Sequence, residues 1–188
     1  MLHESDFSMI VLAGGKSSRM GADKADLCLK DKTFLEIQIE KGRQLGIEDI
    51  QVSGYRRNKC SCPITEDRFL GKGPLGGLEA CLRKAKHEKC LVLSVDVPLV
   101  PVQELEKLMA ASQANTAPAT ILKHGGNEQP LIAVYHRGLA DAMLEEITQR
   151  KGSVFAFINR TGYAVYESFA ADHYFCNVNY TKDYLEIL

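Results

Sequence analysis

Cys90-Leu91-Val92-Leu93-Ser94-Val95 restricts the fold more than any other stretch, because all its residues but Ser94 are apolar and two are β-branched. A strand of that make-up has no polar face to offer water, so it needs cover on both sides, as in the middle of a parallel sheet. It ends at Asp96, and Pro98 and Pro101 prevent its continuation. Phe7-Ser8-Met9-Ile10-Val11 reads as a second buried strand. Between the two, Leu75, Leu78, Leu82 and Ala85 recur at three- and four-residue intervals and mark a helix with one buried stripe, with Pro74 at its start. Thr33 and Glu36 have the spacing of a capping box, opening a helix that ends near Gly46.

The remaining chain continues that alternation. Asp49 to Ser53 reads as a short strand, Pro63-Ile64-Thr65 as an edge strand, and Leu105, Leu108 and Met109 mark a helix. Ala117 to Leu122 and Leu131 to Tyr135 read as strands around a loop from His124 to Gln129, followed by a helix carrying Leu139, Met143 and Ile147. Val154 to Ile158 reads as a helical turn, Tyr163 to Tyr166 and Tyr174 to Val178 as strands, and Thr181 as the cap of a last helix. Strands alternating with amphipathic helices imply a three-layer α/β fold with a mainly parallel central sheet, residues 1–188 forming one domain. In such folds ligands gather at the carboxyl ends of the strands.

Charge narrows the function. With 23 basic and 24 acidic residues the net charge is -1, so no global field draws nucleic acid or an acidic membrane. The first residues lack the basic-then-apolar pattern of a secretory signal, and no run is long enough to cross a bilayer. Six scattered cysteines without such a signal fit reduced thiols in the cytoplasm. Cys60-Ser61-Cys62 has no second pair to complete a zinc site, and the five histidines show no metal spacing.

Binding of an anion must therefore come from a local cluster, and Leu12-Ala13-Gly14-Gly15-Lys16-Ser17-Ser18-Arg19-Met20-Gly21-Ala22-Asp23-Lys24 supplies one. Adjacent glycines let main-chain N–H groups approach phosphate oxygens, and Lys16, Arg19 and Lys24 against Asp23 give the loop a charge of about +2. The same residues also suit an ordinary tight turn with exposed cations. Neither the P-loop pattern nor the Gly-x-Gly-x-x-Gly turn is present, and the loop's length and charge favour a triphosphate over a nicotinamide cofactor. Gly14, Gly15, Ser53, Asp67 and Asp96 all fall at or just beyond predicted carboxyl ends of strands. Asp96 is placed to hold Mg²⁺, which keeps water and substrate phosphates as its other ligands; capping the next helix is its alternative role.

These residues resemble a known family. Leu12-Ala13-Gly14-Gly15 with Ser17, Arg19-Met20-Gly21 and Asp23-Lys24, then Glu66-Asp67, Gly73-Pro74-Leu75-Gly76-Gly77, Asp96-Val97-Pro98-Leu99 and Asn177-Val178-Asn179 are similar, in order, to the molybdenum cofactor guanylyltransferases. The opening motif is shared by many nucleotidyltransferases; the Gly-Pro-Leu-Gly-Gly segment and the late Asn-Val-Asn are narrower. The resemblance implies a Rossmann-like nucleotidyltransferase fold. It also implies transfer of GMP from MgGTP to the terminal phosphate of molybdenum-molybdopterin, and contacts with the proteins that deliver the pterin and receive the product. It assigns Leu12, Ala13, Gly14 and Gly15 to the nucleotide, Arg19 and Lys24 to its phosphates, Asp67 to the guanosine and Asp96 to the metal. Asn177 and Asn179 fall near the reacting groups, and Gln129 towards the pterin.

Two departures stand out. Ser53 occupies a place where the guanylyl enzymes carry Asn, and lacks the amide's paired donor and acceptor. The family's Asn-Val-Asn-Thr-Pro-Glu-Asp ending is here Asn177-Val178-Asn179-Tyr180-Thr181-Lys182-Asp183. A cytidylyltransferase acting on molybdopterin or another phosphorylated acceptor, and a non-catalytic guanine-nucleotide sensor, are the competing readings.

Overall fold

The computed structural model describes residues 6–14, 23–55, 57, 60–69, 73–150 and 152–188. Nine strands are present among them: β1 Phe7–Leu12, β2 Cys28–Leu29, β3 Lys32–Thr33, β4 Asp49–Ser53, β5 Ile64–Thr65, β6 Lys89–Ser94, β7 Ala119–His124, β8 Asn127–His136 and β9 Ala164–Ser168. β2 and β3 make a small hairpin; the other seven form one sheet in the order β5-β4-β1-β6-β8-β7-β9. β5, β4, β1 and β6 run parallel, β8 is antiparallel to both its neighbours, and β9 runs parallel to β7. Only β8 is reversed among the seven, so the sheet is mainly parallel, as its apolar strands require.

The two-residue period of the strands divides their side chains between two cores. Met9, Val11, Leu91 and Leu93 face one side, against α1 Phe34–Gln44 and α3 Val102–Gln113. Ile10, Leu12, Cys90 and Val92 face the other, against α2 Pro74–Lys84, α4 Ala140–Glu145 and α5 Val154–Thr161. That gives three layers. Burial on both faces explains why neither β1 nor β6 alternates with polar residues. The predicted stripe of Leu75, Leu78, Leu82 and Ala85 is fully buried. The capping box forms as expected: Thr33 Oγ1 accepts from the Glu36 amide at 3.1 Å, and Glu36 accepts from the Thr33 amide at 2.7 Å. That backbone hydrogen bond holds the Glu36 carboxyl below its usual range. Cys81 and Cys90 are buried on the α2 side of the sheet. No helix among the described residues is long and apolar enough to cross a membrane.

Three local expectations are corrected. The loop placed at His124 to Gln129 shrinks to Gly125-Gly126, whose φ angles of +54° and +80° make a two-residue hairpin turn and let β8 begin at Asn127. Tyr174 to Val178 is not a strand: Asp172–Phe175 is a 3-10 turn, and the chain then runs extended with Val178 bonded to the Asp96 turn. Finally, Thr181 is the first residue of α6 Thr181–Leu185 rather than its cap. Asp183 serves that end instead, accepting from the amides of Asn179 at 2.9 Å and Tyr180 at 2.8 Å.

Candidate active site

Sheet register places three turns side by side. Leu12 is level with Ser53 of β4 and with Ser94 of β6, so the chain leaves all three strands along one edge. Two of these turns touch through their main chains. The Ala13 amide donates to the Ser53 carbonyl at 2.9 Å, and a Cβ on Gly54, whose φ is +77°, would lie 2.5 Å from the Gly14 Cα. Glycine is required at 54 by conformation and by space together. The reversed β8 begins at this same edge, because it runs antiparallel to β6. Gln129 reaches the edge for that reason.

Asp96 lies in the turn after β6 and is half-buried. The helix that follows starts only at Val102, with Pro101 before it, so Asp96 does not cap it. Among the described residues no side chain bonds its carboxylate. It lines a cleft of about 310 Å³ with Glu128, Gln129, Ser153, Phe155 and Asn177.

Lys24 opens a short 3-10 turn, begun by Asp23, whose carboxylate accepts from the Ala25 amide at 3.1 Å. Its ammonium donates to Asn179 Oδ1 at 2.6 Å. One residue earlier, the Val178 amide donates to the Asp96 carbonyl at 2.8 Å. Asn177-Val178-Asn179 is thus a strap from the Asp96 turn to Lys24, and keeps both on the same side of the sheet. Its ends are fastened. Upstream, the His124 ring stacks on Phe175 at 4.3 Å between centroids, with ring nitrogens against the Ser168 carbonyl and the Asp172 carboxylate. Downstream, the Tyr184 hydroxyl donates to the Cys28 carbonyl at 2.6 Å. The Asn179 and Tyr180 amides hold the Asp183 carboxyl below its usual range, with Lys182 and Lys24 assisting by charge.

Two expected residues pack elsewhere. The Ser53 hydroxyl is buried against α2, where a Cβ on Gly77 would collide with it. Asp67 lies beside the next position, its Oδ1 2.5 Å from where a Cβ on Gly76 would be, and it accepts from the Phe69 amide at 2.8 Å. The adjacent glycines of α2 therefore make room for the side chains of two neighbouring turns. Neither Ser53 nor Asp67 lines the cleft with Asp96. Gly15 and Arg19 lie outside the described residues, as do Lys16, Ser17 and Gly21.

A family model, the MobA-like NTP transferase domain, matches residues 9–162. The chain belongs to this family. It is 30% identical over 97% of its length to a protein named probable molybdenum cofactor guanylyltransferase from Carboxydothermus hydrogenoformans, covering 95% of that protein. A molybdenum cofactor guanylyltransferase from Campylobacter jejuni is 32% identical, over 96% of this chain and 94% of that one. The crystal structure of molybdopterin-guanine dinucleotide biosynthesis protein A from Archaeoglobus fulgidus has the same fold, with a TM-score of 0.81, 24% identity and 96% of each chain covered.

In this MobA-like transferase, sequence reasoning missed Glu128, Ser153 and Phe155 as walls of the cleft. The turn signal Gly125-Gly126 was available for Glu128, since a two-residue hairpin brings it into a strand. Nothing local marks Ser153 or Phe155. Ser153 caps α5 in the structure, its hydroxyl accepting from the Ala156 amide at 3.2 Å.

Proposed function

We propose that this chain transfers GMP from GTP to the terminal phosphate of molybdenum-molybdopterin, forming a guanine dinucleotide and releasing pyrophosphate. The observation that carries the reading is the strap, whose Val178 bonds to the Asp96 turn and whose Asn179 bonds to Lys24. A cation and an anion brought to one strand edge suit a metal-bound triphosphate. The names borne by relatives at 30% and 32% identity over nearly the whole chain supply the acceptor and the base.

The reaction joins an acceptor phosphate oxygen to the α-phosphorus of GTP and breaks the bond to the β-phosphate, with pyrophosphate leaving on the opposite side. The nucleophile is already ionised at neutral pH, so no general base is needed. Positioning and charge neutralisation carry the rate. Lys24 would neutralise charge on the phosphates, with Asn179 fixing the direction of its ammonium. Arg19 would assist from the opening loop. Leu12, Ala13, Gly14 and Gly15 would lie against the nucleotide, with Ser53 and Asp67 supporting its pocket near the start of α2. Gln129 and Asn177, which share the Asp96 cleft, would meet the acceptor.

The residues fit a divalent cation of the Mg²⁺ type. Asp96 is a half-buried carboxylate in the cleft with no side-chain partner among the described residues. No group of three or more His, Cys, Asp or Glu gathers among them, which suits an ion that takes one or two carboxylates and completes its shell with water and phosphate. When bound, Mg²⁺ would neutralise charge on the triphosphate. Free thiols at the described cysteines and the absence of a long apolar helix fit work in the cytoplasm beside pterin-delivering and molybdoenzyme proteins.

The test incubates the chain with magnesium, GTP or CTP, and molybdenum-molybdopterin, reading pyrophosphate release and the base in the product. GMP incorporation is expected. CMP incorporation, or GTP binding without pyrophosphate, would replace the reading with one of its competitors.

A further inference from the structure

Behind the Asp96 turn lies a polar pair that none of the proposed chemistry uses. After β6 the chain leaves the hydrogen-bonded ladder, and the carbonyls of Ser94, Val97 and Pro98 turn towards α1 in a region where Val95 and Val97 are buried. Buried carbonyls require donors. Gln38, 0% exposed, supplies them by donating from one Nε2 to Ser94 at 2.8 Å and to Val97 at 3.1 Å. Lys41, 8% exposed, donates to Pro98 at 2.8 Å and to Gln38 Oε1 at 3.0 Å. No carboxylate pairs with Lys41 among the described residues. Burial alone lowers its pKa to about 7.

A leucine or methionine would fill such space without the cost of desolvating an amine. What the pair provides is a set of donors that brackets Asp96: one carbonyl before it and two after it are fixed to a single rigid helix. The Val178 amide holds the Asp96 carbonyl from the other side.

We infer that Gln38 and Lys41 are positioning residues for the Asp96 carboxylate, fixing the turn that carries it and so setting its affinity for a divalent cation. The inference rests on the reading of Asp96 as the cation's ligand. Neither residue touches that ion's place; both act through the backbone of residues 94–98. Groups that orient a metal ligand commonly change metal affinity by about tenfold or more when removed.

Mn²⁺ alone is the probe, titrated into the intact chain and followed by the electron paramagnetic resonance of the free ion, with thermal unfolding measured on the same samples. Gln38→Met and Lys41→Met keep side-chain volume close to the original and remove the donors. Each is expected to bind Mn²⁺ about tenfold more weakly while the protein remains folded, and Asp96→Asn to lose the site. Equal Mn²⁺ affinity in the folded Met variants, with the site lost in Asp96→Asn, overturns the positioning role and leaves Asp96 as the ligand. Unchanged binding in Asp96→Asn instead overturns the assignment of Asp96, and the positioning role with it. If Gln38→Met does not fold, Gln38→Glu, which keeps an acceptor for Lys41 but offers no donors to Ser94 and Val97, gives the same comparison: weaker Mn²⁺ binding supports the role, equal binding removes it.

Discussion

The two halves of the sheet build the site by different means. In the parallel half, β1, β4 and β6 end level with one another, so the turns after them deliver Gly14, Gly54 and Asp96 directly. In the other half, Gln129 arrives at the beginning of a reversed strand, and Asn177 and Asn179 on an extended strap. One half brings its turns together by strand direction, with Gln38 and Lys41 bracing one of them from behind, whereas the other needs a hairpin, an aromatic stack and a short helix. The proposed roles divide along nearly the same line: nucleotide phosphates and metal at the parallel half, acceptor at Gln129 and Asn177 of the other, with Asn179 reaching across to Lys24.

The largest expected effect breaks that division if it fails. Asp96→Ala and Lys24→Ala should each lower turnover by on the order of a hundredfold or more, about 3 kcal/mol of transition-state stabilisation, with the fold intact by circular dichroism. Near-normal GMP transfer by either would remove the parallel half from the chemistry. Gln129→Ala sharpens the contrast from the other side. It should raise the KM for the pterin acceptor about tenfold, the loss of roughly one hydrogen bond, and leave the KM for GTP unchanged. Equal effects on both substrates in steady-state kinetics would merge the two halves.

The buried charges of the two halves also differ. Lys41, behind Asp96, has no anionic partner among the described residues, and burial lowers its pKa from 10.5 to about 7. Between those values the unfolded chain holds a proton that the folded chain lacks, so stability should rise with pH from about 7 to 10.5. The slope is at most about 1.4 kcal/mol per pH unit. Glu104, beside β9, is the converse. Burial pushes its carboxyl up, but hydrogen bonds from Lys107, Ser168 and Tyr166 outweigh this and leave it below the usual value of 4.5. Its contribution is present above that value and lost as pH falls through the folded pKa. Urea midpoints across pH should lose the alkaline slope in Lys41→Met and keep the acid one. The smallest effect concerns the helix that carries Lys41: Thr33→Ala removes the cap of α1 and should cost about 1 kcal/mol in the same unfolding experiment.

How far the sequence could be read follows the same line. Continuous apolar runs named β1 and β6, the helical stripe named α2, and Thr33 with Glu36 named the start of α1, because each depends on residues close in sequence. Strand order does not. The Gly125-Gly126 turn makes β8 antiparallel to β7, but nothing local shows that β8 rather than β7 lies beside β6, which is what brings Glu128 to the site beside Gln129. Tyr174 to Val178 has the residues of a strand but finds no strand to pair with, and its stack with His124 and bond to Asp96 decide its path. Ser53 illustrates the opposite limit. Its place at a strand end was legible, yet the direction of its hydroxyl depends on Gly77 in another element.

The strap has one more consequence. Lys24 and Asn179 lie 155 positions apart, and Tyr184 and Cys28 lie 156 apart. During synthesis on the ribosome, the glycine loop and the Asp96 turn emerge long before the amide that steers Lys24. A nascent chain that has not yet reached Asn179 would therefore carry most of the fold without the amide that orients the Lys24 ammonium.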